Sequence, residues 1–271
     1  MMPNLRLAKI FWTIPVAGAF VASLCGVIWR DIYVGLFAPE FLPGALPQDI
    51  LTLLLCPFLF LHIVRVQRDE LRRQVVIAGL IGSLLYLYGI FTIERVYSAL
   101  YLVYALIFAS SFWSLVYGLS ALREENLAGW TPPRGIARVT AWSSIVIAVI
   151  FTALWTAALV PIMREHTRIE YLYSIYILDL CFIMPAFFIT GVMTLRGKPI
   201  GTLLGPAIML LGFFVIFPLG LNELSKPSFG LPVAYGPMAV SFLFAAYMLG
   251  LAVLQLRGMV YGEQGTANGE R

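Results

Sequence analysis

Charged residues are scarce in this chain, and their scarcity indicates its class. Only 12% of the 271 residues are charged, whereas 61% are hydrophobic and the mean hydropathy is +0.89. A soluble domain carries about 25% charged residues, so the composition excludes that class and indicates a polytopic membrane protein. Every stretch between the apolar runs is short. We therefore expect a single transmembrane domain over residues 1–261, followed by a small, polar and disordered tail over 262–271.

Cysteine and histidine are also rare, which limits the chemistry that the chain can carry. The three cysteines, Cys25, Cys56 and Cys181, lie inside apolar runs and form no C-x-x-C pair, so we expect no disulfide framework. The two histidines, His62 and His166, belong to no His–x–x–His or Cys–His spacing. We therefore expect no metal and no cofactor.

The common catalytic signatures are absent as well. The sequence contains no G-x-x-x-x-G-K-[ST], no G-x-S-x-G and no H-E-x-x-H, so no enzyme class is indicated. The formal net charge of +4 is explained by membrane topology and by contact with anionic lipid. We expect no nucleic-acid partner.

Eight apolar runs are long enough to cross a bilayer, which takes about 20 residues. They are Ala8–Trp29, Ile50–Val66, Val75–Ile93, Tyr97–Leu122, Thr140–Met163, Tyr173–Leu195, Ile200–Leu224 and Ala234–Leu256. The second run is short for a span and would have to include polar flanks or lie in a thinned bilayer. The predicted fold is an all-α polytopic bundle of eight transmembrane helices.

The distribution of Lys and Arg predicts the orientation of this bundle. With eight spans, both termini lie on one side of the membrane. Of the 18 Lys and Arg residues, the other side receives only Arg30, Arg95, Arg164, Arg168 and Lys226. Positive charge concentrates on the cytoplasmic side, so both termini should be cytoplasmic. The predicted location is the plasma (cytoplasmic) membrane of a prokaryote, which is the inner membrane where there are two.

The sixth run, Tyr173–Leu195, carries a carboxylate and a proline inside an otherwise apolar stretch. A carboxylate at membrane depth costs several kcal/mol, so Asp179 needs water, a partner or a proton. Pro185 removes a backbone bond and frees the carbonyl of Cys181. Helical spacing places Tyr176, Phe182, Ala186 and Thr190 on the face of Asp179. The alternative is that Asp179 is an N-cap, because this helix starts nearby.

The second run resembles the sixth, which indicates an internal duplication. Asp49 precedes Arg65 by 16 residues with Pro57 between them, and Asp179 precedes Arg196 by 17 with Pro185 between them. The two halves, 1–134 and 135–261, would then be parallel repeats of four spans each. Asp49 and Asp179 would be counterparts, although Asp49 could also be an N-cap.

Further polar residues fall at the same predicted depth, in the outer leaflet. The residues that we assign to a candidate substrate-binding site are Asp179, Asp49, Glu94, Arg95, Tyr101, Tyr104, Tyr176 and Glu223. Acids, an arginine and tyrosines at one depth could form a proton relay, a cation site or a pocket for a polar head group. The alternative is an interfacial tyrosine belt with ordinary loop residues beside it.

The pattern as a whole resembles uncharacterised eight-span integral membrane proteins of bacteria and archaea. The resemblance is carried by Asp49 with Pro57, Gly79, Tyr86-x-Tyr88, Tyr101-x-x-Tyr104 and Leu178-Asp179 with Pro185, followed by Arg196-Gly197-Lys198-Pro199-Ile200-Gly201. It implies eight spans and a role for Asp179, and it implies no activity.

The expected function is transport or binding of a small molecule or an ion through an outward-facing polar vestibule. Two alternatives stay open. A structural or assembly partner of a membrane complex predicts no cavity, with Asp179 capped or paired with Arg95. An intramembrane enzyme for a lipid or isoprenoid predicts a lipid-sized groove open sideways, with Asp179 and Glu94 as acid and base. The expected partners are membrane lipids, other membrane subunits or further copies of this chain.

Overall fold

The computed structural model of the chain describes residues 4–37, 39, 41–68, 70–120, 130–131 and 134–261. Eight long apolar helices in this part of the chain confirm the predicted number of candidate spans. They are α1 (Leu5–Ile28), α2 (Leu42–Arg65), α3 (Leu71–Ile93), α4 (Tyr101–Ser120), α5 (Arg134–Glu165), α6 (Tyr173–Leu195), α7 (Pro199–Ser225) and α8 (Tyr235–Gly258). The predicted tail over 262–271 lies outside the described residues.

The second helix differs most from its predicted bounds. It starts at Leu42 and not at Ile50, so it has 24 residues and is not a short span. Proline is favoured in the first helical turn, where its missing N–H would have no partner anyway. Pro43 occupies that position and starts the helix. Residues 42–47, which precede the predicted second run, therefore form the first turns of α2, and Asp49 lies inside the helix.

Two helices, α3 and α7, form the centre of the bundle. They are the most buried of the eight, and they pack on each other with Gly79 of α3 against the Ala207 backbone of α7. Around them, α1 packs on α2 and α4, α4 packs on α3, α5 packs on α6, and α8 packs on α7. The absence of a side chain at Gly79 allows the two central helices to approach closely.

The contacts at the helix ends define two ends of the bundle. At one end, which we call the terminal end, the Tyr117 hydroxyl donates to the Asn4 carbonyl and the Lys9 amine donates to the Val64 carbonyl. The strand Val260–Tyr261, which follows α8, pairs there with Trp130–Thr131. The loop residues Tyr33 and Arg95 lie at the other end, which we call the loop end. The first and last described residues are thus at the same end.

Helix α6 is interrupted by one stretch of wider, π-helical turn. The stretch runs from Asp179 to Ile183, and within it the Met184 N–H donates to the Asp179 carbonyl five residues earlier. Pro185 follows directly and has no N–H to donate. The sequence predicted that Pro185 leaves the Cys181 carbonyl without its helical hydrogen bond. The helix accommodates this loss with a π-turn, and π-turns are frequent at functional sites.

Candidate functional site

Asp179 lies inside α6 and is buried in the bundle. Its side chain is 4% exposed, and it lies two turns past Tyr173, where the helix starts. Leu172, and not Asp179, occupies the N-cap position. The N-cap interpretation of Asp179 is therefore wrong, and the carboxylate needs another partner at this depth.

The partners of Asp179 come from two other helices. The Trp155 indole N–H, on α5, donates to Asp179 Oδ2 over 2.7 Å. The Tyr86 hydroxyl, on α3, is near enough to interact with the same carboxylate. Asp179 Oδ1 has no hydrogen bond of good geometry among the described residues. The two groups that act on this carboxylate are thus neutral donors, and neither of them compensates its charge.

The π-turn changes which residues share the face of Asp179. Regular helical spacing predicted Phe182 and Ala186 on that face, but Phe182 is 44% exposed on the outside of the bundle. The buried positions are Ile183, Met184 and Phe187. The inward face moves by one position after Asp179, because the π-turn inserts one extra residue into the helix. Thr190, further along α6, is also buried.

A small cavity borders Asp179 between α5, α6, α7 and α8. Its volume is about 30 Å³. Apart from Asp179, its lining residues are apolar, and they include Phe151 of α5, Phe187 of α6 and Phe244 of α8. The carboxylate is therefore the polar group of an otherwise apolar cavity.

Asp49 forms a second buried carboxylate site, on α2. It is 2% exposed, and the Tyr33 hydroxyl donates to its Oδ2 over 2.9 Å. A side chain at Gly26 of α1 would overlap this carboxylate. Asp49 lies in the second turn of α2 and not at its N-cap, which is Phe41. The N-cap interpretation of Asp49 is therefore wrong as well.

Tyrosines extend the Asp49 site towards the loop end. The Tyr33 and Tyr104 hydroxyls interact, and the Ser98 hydroxyl donates to Tyr104 over 3.3 Å. Burial first, and then the nearby Asp49 carboxylate, raise the pKa of the Tyr33 phenol above its ordinary value. Tyr33 therefore stays protonated and remains a donor to Asp49.

Helix α3 separates the two carboxylate sites. Tyr86 interacts with Asp179, whereas Tyr88 lies on the side of Asp49 and donates to the Ala19 carbonyl over 3.2 Å. Two residues apart on a helix means a rotation of about 200°, so these tyrosines lie on opposite faces of α3. Asp49 and Asp179 therefore do not share one site.

The other two predicted acids, Glu94 and Glu223, accept hydrogen bonds from backbone N–H groups near the starts of helices. Glu94 Oε1 accepts from the Ser174 N–H over 2.8 Å and so caps α6. Glu223, near the end of α7, forms an ion pair with Lys226 over 2.6 Å and accepts from the Ala234 N–H over 3.0 Å. These two contacts hold the loop before α8 against the end of α7. Carboxylates at helix starts satisfy N–H groups that have no partner within the helix. These contacts explain the two acids without a ligand.

Arg95 and Tyr101 also make structural contacts at the loop end. Arg95 Nε donates to the Tyr173 hydroxyl over 2.8 Å, and its guanidinium lies 5.4 Å from the centre of that ring. The Tyr101 hydroxyl donates to the Thr92 carbonyl. Tyr176 packs edge-on against Trp155, with ring centres 5.3 Å apart. Of the predicted set, Tyr176 thus joins the Asp179 site and Tyr104 joins the Asp49 site.

Sequence reasoning missed three residues of these sites. Trp155, Tyr86 and Tyr33 hold the two carboxylates, yet each is an ordinary aromatic residue in or beside an apolar run. A Trp inside a span, away from its ends, was the available signal, because a buried indole N–H requires an acceptor. The pairing of that Trp with Asp179 could be found only from helix packing.

A larger groove lies between α2 and α7 and contains neither carboxylate. Its volume is about 410 Å³, and its lining is mostly apolar, with Leu46 and Leu54 on one wall and Phe217 and Leu221 on the other. A lipid-processing enzyme would need its acid and base to face such a groove. Neither Asp49 nor Asp179 does so.

No protein-family model, curated protein or solved structure matches this chain.

Proposed function

We propose that this chain is a multi-pass membrane carrier that binds a small cation at Asp179 and exchanges it for a proton. This keeps the expectation of transport but replaces the outward-facing vestibule with the cavity beside Asp179. One observation carries the proposal: a buried carboxylate, one of whose oxygens has no hydrogen bond of good geometry, borders a small cavity between α5, α6, α7 and α8.

The surroundings of Asp179 favour a cation that can be exchanged. Within the described residues, no Lys or Arg forms an ion pair with Asp49 or Asp179. The polar or titratable groups that act on Asp179 are Trp155 and Tyr86, and the cavity walls from α7 and α8 are apolar. An ionised carboxylate at this depth costs several kcal/mol. Asp179 is therefore most stable with a bound proton or a bound cation, and one can replace the other.

The two alternatives receive less support from the same contacts. A purely structural role predicted that Asp179 would be a helix cap or pair with Arg95, but Leu172 is the N-cap of α6 and Arg95 binds Tyr173. An intramembrane enzyme predicted acids in a lateral groove, and the groove between α2 and α7 has none among its lining residues. Glu94, the proposed second catalytic acid, caps α6.

The proposal includes the orientation and the internal repeat expected from the sequence. Positive charge at the terminal end favours cytoplasmic termini in a prokaryotic plasma membrane. In the first half, α1 packs on α2 and α3 packs on α4. In the second half, α5 packs on α6 and α7 packs on α8. The two equivalent helices α3 and α7 contact each other at the centre. In each half, the second helix carries a buried Asp two turns past its start. These correspondences support a parallel repeat of four spans.

Exchange in liposomes tests the proposal. Purified protein is reconstituted into liposomes with an acidic interior and a trapped pH dye, and inorganic or organic cations are added outside. We expect at least one cation to drive proton exit severalfold faster than in protein-free liposomes. Asp179→Asn should lower the rate to that of protein-free liposomes, because an amide cannot exchange protons.

Glu94→Gln is the matched control, because it also replaces an acid but leaves an amide oxygen to cap α6. It should retain the rate of the unsubstituted protein. If no cation drives proton exit, or if Asp179→Asn exchanges as fast as the unsubstituted protein, the proposed function is wrong.

A further inference from the structure

We infer that the cavity beside Asp179 binds a small ammonium-type cation, such as ammonium or methylammonium. The inference rests on the proposed function in one respect: both assign the exchangeable position to Asp179. It goes further by naming the chemical class of the bound cation.

The size of the cavity limits its occupant to a few non-hydrogen atoms. A water molecule needs about 10–15 Å³ of cavity measured in the same way, and this cavity has about 30 Å³. One ammonium or methylammonium ion therefore fits, whereas an amino acid, a sugar or a lipid head group does not.

The chemistry of the walls disfavours water. An ordered buried water makes about three hydrogen bonds and needs at least two polar partners. The lining offers one carboxylate, Asp179, among apolar residues, and Asp179 Oδ2 already accepts from Trp155. A water molecule would have too few partners in this cavity.

The same walls disfavour a bare metal ion. Hard metal cations bind several oxygen ligands at once, and the side chains around the cavity include one carboxylate and no hydroxyl or amide. A metal ion would lose most of its hydration without replacement. Asp179 Oδ1 alone cannot compensate for that loss.

For an ammonium ion, aromatic rings can replace part of the hydration that is lost in the cavity. Phe151, Phe187 and Phe244 line the cavity, and Phe151 lies almost parallel to Phe244, at 7°, with ring centres 6.4 Å apart. Aromatic faces attract ammonium ions within about 6 Å of the ring centre. A carboxylate that neutralises the charge, together with such rings, is the combination that recognises ammonium-type ligands.

Thermal unfolding in detergent tests the inference without requiring transport. Methylammonium chloride is titrated at pH 7 against sodium chloride and potassium chloride of equal ionic strength. We expect methylammonium to raise the unfolding temperature above both salts in a saturable way. Asp179→Asn should abolish this difference, and Asp49→Asn, an equally buried acid away from the cavity, should retain it. Phe244→Leu should weaken methylammonium binding about three- to tenfold, because one aromatic face is lost.

Each outcome decides the inference. It is wrong if methylammonium shifts the unfolding temperature no more than sodium, or if Asp179→Asn responds as the unsubstituted protein does. The salt comparison on the unsubstituted protein suffices even if Asp179→Asn fails to fold. If another cation drives proton exchange through Asp179 while methylammonium does not bind, the proposed function stands and the ammonium class falls. If methylammonium binds and no cation drives proton exchange, the ammonium class stands and the proposed exchange function is wrong.

Discussion

Gly26 shows how one missing side chain creates room for a buried charge. A Cβ atom at this position of α1 would overlap the Asp49 carboxylate and approach the Tyr33 hydroxyl. Gly18, Ala22 and Gly26 recur at every fourth position, a spacing that is typical of contact faces between transmembrane helices. Gly18 does meet a neighbouring helix, at Ile107 of α4. At Gly26, however, the neighbour is a carboxylate, so the glycine serves the Asp49 site as well as helix packing.

We therefore expect Gly26→Ala to destabilise the protein by about 1–3 kcal/mol, because overpacking of a filled interior costs this much. Denaturant unfolding in detergent measures the change. Gly250→Ala is the control, since a Cβ atom added at this position of α8 would meet nothing within 4 Å apart from its chain neighbours and its own helix backbone. Alanine is the better helix former, so this substitution should stabilise the protein by up to about 1 kcal/mol.

A combined substitution separates overlap from other effects of Gly26→Ala. Asp49→Ala removes the carboxylate that the new methyl group would meet. In the double variant, Gly26→Ala should therefore cost less than it does alone. Equal costs in the two backgrounds would show that the carboxylate is not what Gly26 accommodates.

At the scale of an element, the π-turn in α6 decides what faces the cavity. Pro185 withholds an N–H, and the chain responds with one wider turn over Asp179–Ile183. The inward face after Asp179 is therefore Ile183, Met184 and Phe187, and Phe182 turns outwards. Without the extra residue, Phe187 would be rotated away from the cavity that it lines.

Spin labels can locate this change of register. In a variant lacking the native cysteines, labels are placed by Phe182→Cys and by Ile183→Cys, and collisions with oxygen dissolved in the bilayer are measured. We expect high accessibility and mobility at position 182 and low values at 183. Phe188, which is 45% exposed, and Phe187, which is 1% exposed, provide a matched pair one turn further. Low accessibility at 182 with high accessibility at 183 would mean that α6 has no π-turn there.

At the scale of the whole molecule, the first and last described residues lie at the same end of the bundle formed by the eight described helices. The Asn4 carbonyl accepts from Tyr117, and Val260–Tyr261 pairs with Trp130–Thr131 at the same end. Most of the basic residues also lie at this end in the sequence pattern. The two buried carboxylates lie nearer the opposite end, where the loop residues Tyr33 and Arg95 are found.

Reporter fusions test the orientation of the bundle. Alkaline phosphatase, which is active only outside the cytoplasm, should be inactive when fused after Arg271 and active when inserted after Phe229, in the loop before α8. A fluorescent protein that folds in the cytoplasm should give the opposite pattern. Activity of the phosphatase at the C-terminus would contradict cytoplasmic termini.

The sequence by itself determined the class and the number of helices. Long apolar runs must form helices in a bilayer, because every backbone polar group needs a partner within its own segment. Scarce charge then makes an internal acid conspicuous, and Asp179 was found for that reason, whereas Asp49 was found because the second run resembles the sixth. Local pattern also indicated an irregularity near Pro185, since a proline always removes one backbone donor.

Only the tertiary structure decided what the two acids do. Both were open to an N-cap interpretation, because the sequence alone does not fix the residue at which a helix starts. The partners Trp155, Tyr86 and Tyr33 come from other helices or loops, and one wider turn moved the inward face of α6 by a residue. Side chains brought together across helices depend on packing, so no spacing along the chain could have predicted the cavity beside Asp179.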